Sequence, residues 1–256
     1  MPGGARGPAR WSVSEIDDGA RLLGGLVPDV VVVETFTSDP AAAVLPEEAA
    51  LVAAAPPERR RAFAAARSCA RRALVQLGVA PGPILLDPDA PAWAYRAPRW
   101  PAGVVGSMTH CDGYHAAAVA RSATVAAVGI DAEPNAPLPA VVRDLVTLDE
   151  ERAALARLSG ARPDVAWDRL VFSAKESVYK AWFPLTRRWL DFGDCLVRPG
   201  LDGTFTAELR VRPPVFAGVA GRRLTGRWRT TTRGGRAYVA TALTVPAFGA
   251  GGGAVR

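Results

Sequence analysis

The sequence predicts an α+β fold in which short antiparallel strands pack with a small number of helices. Strand-like and helical segments are mixed along the chain without the strict strand–helix–strand rhythm of a parallel sheet. Of the 256 residues, 49% are hydrophobic and 22% are charged, the balance of a globular protein. That length allows one large domain or two small lobes with a shared core.

The first part of the chain predicts a tail, a strand and two helical segments. Residues 1–24 are rich in glycine, proline and arginine and are expected to form a disordered tail. The β-branched run Val30–Val33 predicts a strand, and Leu45–Glu48 begins a helical stretch. A stronger helix is predicted over 58–77, because two prolines precede it, a glycine follows it, and its apolar residues recur at three- and four-residue steps.

A proline-rich loop and three strands are predicted next. Residues 80–103 form an irregular segment of a length usually kept for function. Strand-like runs over 104–108, 114–120 and 124–130 come after it, separated by turn signals. We therefore expect an antiparallel arrangement in the middle of the chain.

Two further helices and a second group of strands complete the prediction. The helices cover 148–158 and 167–183, and the second should end before Pro184 because a proline disfavours helical geometry in the residue before it. Alternation of apolar and polar residues over 195–245 predicts antiparallel strands, and 249–256 should form a flexible end. We find no internal repeat in the sequence.

Composition restricts the cellular setting and the partners. The three cysteines are too few and too irregularly spaced for a disulfide framework, so we expect reduced thiols. No apolar stretch follows the N-terminal arginines and no apolar run reaches the roughly 18 residues of a membrane span, which predicts a cytoplasmic protein. The net charge of +6 indicates an acidic partner: nucleic acid, a phosphorylated cofactor or an acidic protein.

A pair of acids at the end of the third strand is the first candidate for chemistry. Asp131 and Glu133 lie two residues apart, so a strand places them on one face, with Ile130 on the other. Two neighbouring carboxylates repel each other unless a cation lies between them, and Mg²⁺ prefers oxygen ligands. The alternative is a solvated turn with two exposed acids.

A third acid and a lysine occur in the helical segment Phe172–Ala181. Glu176 and Lys180 are four residues apart and therefore share one side of the helix. Alone they are more typical of an ordinary surface ion pair. Together with Asp131 and Glu133 they predict a site for a metal ion and a phosphate group.

Basic residues supply candidates for the rest of a charged ligand. Arg59, Arg60 and Arg61 lie in the first turn of the helix over 58–77, where free N–H groups favour anions, and Arg67 continues the stripe of Arg60. A solvated basic face is the alternative.

His110 follows a strand within the run Gly106–His110, where its ring could donate a hydrogen bond to phosphate, although a structural histidine is equally typical. A nucleophilic Ser107 lacks the nucleophile-elbow pattern, and a zinc site from His110, Cys111 and His115 lacks a clear fourth ligand.

In this order, these motifs resemble the 4'-phosphopantetheinyl transferase family, in its monomeric two-lobed bacterial type. The resemblance covers residues 45–195, and its signature stretches are WPAGVVGSMTH from Trp100, VGIDAE from Val128 and FSAKESVYKA from Phe172. The segment ERRRAFAAARSCARRAL from Glu58 is similar to the coenzyme-binding helix of that family.

The resemblance implies a fold of two similar α+β lobes related by a pseudo-twofold axis, with coenzyme A in the cleft between them. The N-terminal lobe would span 25–124 and hold the 3'-phosphate of the coenzyme, and the C-terminal lobe would span 125–248 and carry the metal and the catalytic residues. Asp131, Glu133 and Glu176 would bind Mg²⁺. The residues implied to contact the coenzyme are Arg59, Arg60, Arg67, Arg96, Thr109, His110, Lys175 and Lys180, with Arg99 as the alternative to Arg96.

The implied reaction moves the phosphopantetheine arm of coenzyme A to a serine of an acidic acyl, polyketide or peptidyl carrier protein and releases 3',5'-ADP. Glu176, or a water that it orients, would act as general base, with Lys180 and Asp131 as the other catalytic residues. Two rival functions use the same features: a metal-dependent phosphohydrolase or nuclease, and a basic nucleic-acid-binding module, which the lack of interleaved aromatic residues disfavours.

Overall fold

The computed structural model describes residues 21–37, 42–94, 97–211 and 223–247. Within these ranges the strands form two antiparallel sheets, and one long helix packs against each of them. The α+β fold with two lobes is therefore confirmed. None of the helices in the described ranges combines the length and apolarity needed to cross a bilayer.

The N-terminal lobe is a three-stranded sheet with one long helix. Its strands are β1 (Val31–Thr35), β2 (Val104–Cys111) and β3 (Tyr114–Arg121), with β3 in the centre. The helix α1 (Pro57–Gln76) buries a stripe of small and apolar residues against β3 and β1. A 3₁₀ turn at Pro46–Val52 precedes it.

The C-terminal lobe is a five-stranded sheet with three helices. The strands are β4 (Val125–Pro134), β5 (Cys195–Pro199), β6 (Thr204–Leu209), β7 (Arg223–Arg233) and β8 (Arg236–Pro246), and their order is β4-β8-β7-β6-β5. The helices are α2 (Ala140–Val146), α3 (Asp149–Ala161) and α4 (Trp167–Thr186), of which α4 packs against β4 and β8.

The predicted helices and strands over 30–33, 58–77, 104–130 and 148–158, and the described part of 195–245, are found with shifts of a few residues at their ends. The prediction that the last helix ends before Pro184 is wrong. Pro184 removes one helical N–H but does not stop the chain from completing another turn to Thr186. The helix ends where Arg187 adopts a left-handed conformation and donates its N–H to the carbonyl of Phe183.

The tail predicted over residues 1–24 is wrong at its end, because Leu22 and Leu23 are fully buried in the core between the lobes. The carboxylate of Glu34 accepts hydrogen bonds from the backbone N–H groups of residues 22–24, and Arg229 donates to the carbonyls of Arg21 and Gly24. The rest of that tail and the predicted flexible end at 249–256 lie outside the described residues.

The two sheets meet where β2 lies beside β4. Ser107 Oγ accepts a hydrogen bond from the N–H of Ile130 at 3.2 Å, and Thr109 Oγ1 accepts one from Ala132 at 3.1 Å. Side chains therefore replace the backbone ladder at this seam. The face of β4 that carries Asp131 and Glu133 is held next to the end of β2.

Candidate active site

A cleft of about 1190 Å³ lies between the lobes. Its walls are β2 and the loop before it from the N-terminal lobe, and β4 and α4 from the C-terminal lobe. Polar and charged residues from both halves of the sequence line it: Thr109, His110, Asp131, Glu133, Glu176 and Lys180. The structure thus brings together the two acidic motifs and the His110 motif.

The close approach of α4 to β4 depends on a glycine. A Cβ atom at Gly129 would lie 1.9 Å from the carbonyl oxygen of Ser177, so any other residue would push the helix away from the strand. Buried hydroxyls hold the same face of the helix against the neighbouring strand, where Ser177 and Ser173 share hydrogen bonds with Thr241 of β8. These contacts set the position of Glu176 relative to Asp131.

Asp131 is buried at the centre of the charged residues. Its Oδ1 accepts hydrogen bonds from Lys180 Nζ at 2.8 Å and from Thr109 Oγ1 at 3.2 Å. Lys180 also donates to the carbonyl of Ile130. The second carboxylate oxygen, Oδ2, is buried and makes no hydrogen bond within the described residues. A buried carboxylate oxygen without a protein donor can accept a hydrogen bond from water or bind a cation.

Glu176 lies one turn before Lys180 on α4, and its side-chain carboxylate makes no hydrogen bond to another described residue. Burial raises the pKa of its carboxyl, Lys180 lowers it, and the negative charge of Asp131 adds to the rise. A carboxylate with a raised pKa that faces a cleft can accept a proton more readily than an ordinary glutamate. Its environment suits a general base.

Glu133 is held by an arginine that the sequence motifs did not single out. Arg169 Nη1 donates to Glu133 Oε2 at 3.0 Å. Burial raises the pKa of Glu133 to about 7, with a further contribution from Asp131, while Arg169 and Lys180 oppose the rise. The spacing of Arg169 seven residues before Glu176, which places both on one face of α4, was the only available signal.

The predicted metal ligands fit a hard divalent cation by the chemistry of their oxygens, and two observations agree with that prediction. All three acids line one cleft, and Asp131 has an unsatisfied buried oxygen. In the described part of the chain, however, no three acidic, histidine or cysteine side chains are close enough to form a ready cation cage. A cation bound by Asp131, Glu133 and Glu176 therefore requires these side chains to converge further.

Lys175, predicted to contact the coenzyme, has other partners. It is buried, and its ammonium donates to Glu151 at 2.8 Å and to the carbonyls of Val146 and Phe192. These three acceptors match the three N–H bonds of an ammonium. Although Lys175 borders the cleft, its role in the structure is to anchor α4, one residue before Glu176.

The arginines of α1 do not line the cleft. Arg59 is exposed, whereas Arg60 donates to the carbonyls of Ala53 and Ala55 and so holds the turn before the helix. Arg67 is buried, donates to the carbonyl of Ile84, and lies over the ring of Phe63. Burial lowers the pKa of Arg67 to about 10. Their proposed contact with the 3'-phosphate stays a prediction.

His110 is exposed at the cleft and its ring stacks with that of His115. Arg96 lies outside the described residues, and Arg99, its alternative, lines the cleft. Thr109 gives its hydroxyl proton to Asp131, so in this structure it orients the acid.

The other end of the cleft is aromatic. Trp93, from the loop before β2, contacts Phe183 of α4 and Trp189 edge to face, with ring centroids 5.4 and 5.6 Å apart. Tyr179 extends the group, and an ion pair between Asp87 and Arg187 joins the same two segments. The cleft therefore has a charged end, at Asp131, Glu176 and Lys180, and a largely aromatic and apolar end.

Comparison with known proteins gives one consistent result for both lobes. Residues 47–120 match the 4'-phosphopantetheinyl transferase N-terminal domain, and residues 127–241 match the 4'-phosphopantetheinyl transferase superfamily. The chain is 51% identical to the 4'-phosphopantetheinyl transferase Svp of Streptomyces mobaraensis, over 88% of this chain and 90% of the relative. It is 43% identical to PptT of Mycobacterium tuberculosis, over 72% and 78% of the two chains. Enterobactin synthase component D of Salmonella typhimurium is 30% identical over 64% of each chain.

Proposed function

Since the chain belongs to the 4'-phosphopantetheinyl transferase superfamily, we propose that it transfers the phosphopantetheine arm of coenzyme A to a serine of an apo carrier protein. The products are the holo carrier and 3',5'-ADP. The observation that carries this proposal is the meeting of Glu176 and Lys180 with Asp131 at the charged end of a cleft that also has an apolar end. A nucleotide with a long uncharged arm has the same two-part chemistry.

In the reaction, the serine hydroxyl attacks the β-phosphorus and the bond to the leaving 3',5'-ADP breaks. Lys180 is part-buried next to Asp131, where an ammonium can stabilise negative charge on phosphoryl oxygens. Thr109 and Lys180 hold the same oxygen of Asp131, which fixes the acid and leaves its second oxygen directed elsewhere.

Glu176 is the proposed general base. Its raised pKa and its lack of a hydrogen-bond partner among the described residues support removal of the serine proton, directly or through one water. Lys180, four residues later, keeps the carboxyl from becoming too basic. The two residues act from one face of α4.

We propose that Asp131, Glu176 and Glu133 hold Mg²⁺ or Mn²⁺ together with the diphosphate of the coenzyme. When bound, such a cation neutralises charge on phosphoryl oxygens. The three acids face two cationic side chains, Lys180 and Arg169, so one negative charge stays unpaired when all are ionised. This small excess supports a site that binds its cation mainly in company with phosphate.

Basic residues in and beyond the cleft are the proposed contacts of the phosphate groups of the coenzyme. His110 and Arg99 line the cleft and are proposed to contact phosphate groups. Arg59 and Arg60 at the N-terminal end of α1, and Arg67 in its middle, are proposed to bind the 3'-phosphate. This contact requires the cleft to extend beyond its present lining.

The carrier protein is proposed to dock on α2. Val141 and Leu145 are 82% and 73% exposed, and Val142 adds to the same patch. An exposed apolar group of this kind marks an interaction surface. The helix follows Glu133 by a short turn and lies against α4, so a partner there would be close to the cleft. The net charge of +6 favours an acidic carrier. We also propose that the enzyme acts as a monomer in the cytoplasm.

Intact-mass analysis of an apo carrier protein, incubated with the enzyme, coenzyme A and Mg²⁺, tests the function. We expect a mass gain of one phosphopantetheine group, which Glu176→Gln abolishes at matched protein concentration. Glu150→Gln makes the same chemical change on the surface, where Glu150 pairs with Arg210, and should transfer normally. Hydrolysis of coenzyme A without any gain in carrier mass would instead support a phosphohydrolase.

A further inference from the structure

Arg169 is fixed by three acceptors at the start of α4. Its Nη1 donates to Glu133 Oε2 at 3.0 Å, its Nε to the carbonyl of Ala136 at 3.0 Å, and its Nη2 to that of Pro137 at 3.4 Å. The side chain is 18% exposed. The guanidinium is thus a tie between the first turn of the helix and the chain that leaves β4.

The cations of α4 and the acids of β4 form two ion pairs. Arg169, Glu176 and Lys180 are spaced by seven and four residues and so share one face of the helix. Arg169 pairs with Glu133 at 3.0 Å and Lys180 pairs with Asp131 at 2.8 Å. Glu176 lies between these pairs along the helix and has no ion pair of its own among the described residues.

The ion pair between Glu133 and Arg169 takes a carboxylate away from the proposed cation site. Glu133 accepts a hydrogen bond from Arg169, and within the described ranges the acids do not form a group that could enclose a metal ion. A guanidinium and a divalent cation that draw on the same carboxylate oppose each other, by competition for its oxygens and by repulsion of like charges. Because the affinity of oxygen-ligand sites follows the negative charge available to the ion, the arginine lowers it.

We propose that Arg169 is a positioning residue that competes with the divalent cation for Glu133 and so weakens cation binding to the enzyme in the absence of coenzyme. The inference rests on one part of the proposed function, the binding of the cation by Asp131, Glu133 and Glu176. The diphosphate of the coenzyme adds the oxygens that the arginine withholds. Cation binding is thereby coupled to arrival of the substrate.

Titration of the coenzyme-free protein with Mn²⁺, followed by electron paramagnetic resonance of the free ion, tests the proposal without relying on catalysis. We expect Arg169→Gln to bind Mn²⁺ about tenfold more tightly than wild type, the order of effect expected from removal of one competing charge near the surface. Arg169→Lys keeps the charge but not the planar fork, and should lie between the two. Arg162→Gln, which removes an exposed arginine paired with Asp164, is the matched control and should change nothing.

The double variant Arg169→Gln/Glu133→Gln makes the test specific. If Arg169 acts mainly through Glu133, most of the gain in Mn²⁺ affinity disappears once Glu133 carries no charge, and only the smaller part from direct repulsion between the guanidinium and the ion stays. An unchanged affinity in Arg169→Gln, or a gain that persists at full size in the Glu133→Gln background, overturns the proposal. Arg169→Lys retains a donor for the turn carbonyls and covers the case in which Arg169→Gln folds poorly. Absence of carrier modification by wild type, with the Mn²⁺ cycle as expected, would reject the transferase function and leave this inference standing.

Discussion

The long helix of each lobe is anchored by a buried ion pair of the same design. In the N-terminal lobe, Arg71 of α1 binds Glu48, which also accepts the N–H groups of Leu45 and Ile84. In the C-terminal lobe, Lys175 of α4 binds Glu151, whose carboxylate likewise accepts the N–H of the residue before its helix and that of a distant extended segment. Both pairs are almost fully buried.

The lobes differ in the residues that come after the anchor. Lys175 precedes Glu176, which lines the cleft, and lies five residues before Lys180, which donates a hydrogen bond to Asp131 of β4. The residue after Arg71 is another arginine, and α1 packs against alanine and valine of β3. Similar scaffolds therefore carry different chemistry, and the face of the anchored helix decides which lobe holds the reacting groups.

The largest difference between the lobes is expected when the residue after each anchor is replaced by glutamine. Glu176→Gln should reduce transfer to the carrier by about two to four orders of magnitude, the usual contribution of a general base. Arg72→Gln, at the matching place in α1, should leave the rate almost unchanged. Carrier mass measured over time at equal enzyme concentration gives both rates. A loss of similar size in Arg72→Gln would mean that the two lobes share the chemistry.

Loss of either buried ion pair, Arg71–Glu48 or Lys175–Glu151, should lower the free energy of unfolding by a similar amount, but only loss of the second should lower the transfer rate. Glu48→Gln and Glu151→Gln each leave a buried cation without its charge partner, which costs about 3–5 kcal/mol of unfolding free energy. Urea denaturation measures that loss in both variants. In the protein that stays folded, Glu151→Gln should also slow transfer, because α4 positions Glu176. Equal activity per folded molecule in both variants would contradict this positioning role.

Acid should destabilise the N-terminal lobe through a buried histidine. Burial and the neighbouring His110 lower the pKa of His115 to about 4, compared with about 6.5 in the unfolded chain. The unfolded state therefore binds the proton more tightly, and stability falls as the pH drops from about 6.5 towards 4, by up to about 3 kcal/mol. His115→Phe should lose this dependence, as followed by urea denaturation at several pH values. A pH profile identical to wild type would refute the assignment.

The smallest expected effect concerns the seam between the lobes. Thr109→Val removes a hydroxyl that donates to Asp131 and accepts from the N–H of Ala132, so it should cost about 1 kcal/mol of stability and slow transfer several-fold. Thr109→Ser keeps both bonds and serves as the control. Thermal unfolding and carrier modification report the two effects. If valine were tolerated as well as serine, the seam would not orient the acid.

The sequence sufficed for the α+β class, because strand alternation and helical spacing are local properties. The meeting of Asp131 with Lys180, 49 residues later, could be expected only because their motifs resemble those of a known family. It could not identify Arg169, since the partner of Glu133 lies 36 residues away and only packing brings them together. The same limit applies to Lys175, which looked like a ligand contact but is buried against Glu151. Leu22 and Leu23 were assigned to a tail because their neighbours are glycine and arginine, yet both are buried in the apolar core between the two sheets.

The most direct test is a crystal structure of the protein with coenzyme A and Mn²⁺, read at the anomalous signal of the metal. The central claim is that α4, held against β4 at Gly129, presents Glu176 to the same cation as Asp131. We predict one strong anomalous peak in the cleft, at ligand distance from carboxylate oxygens of both residues and beside the diphosphate. A peak bound away from Asp131, or a coenzyme whose diphosphate lies outside the charged end of the cleft, would contradict it.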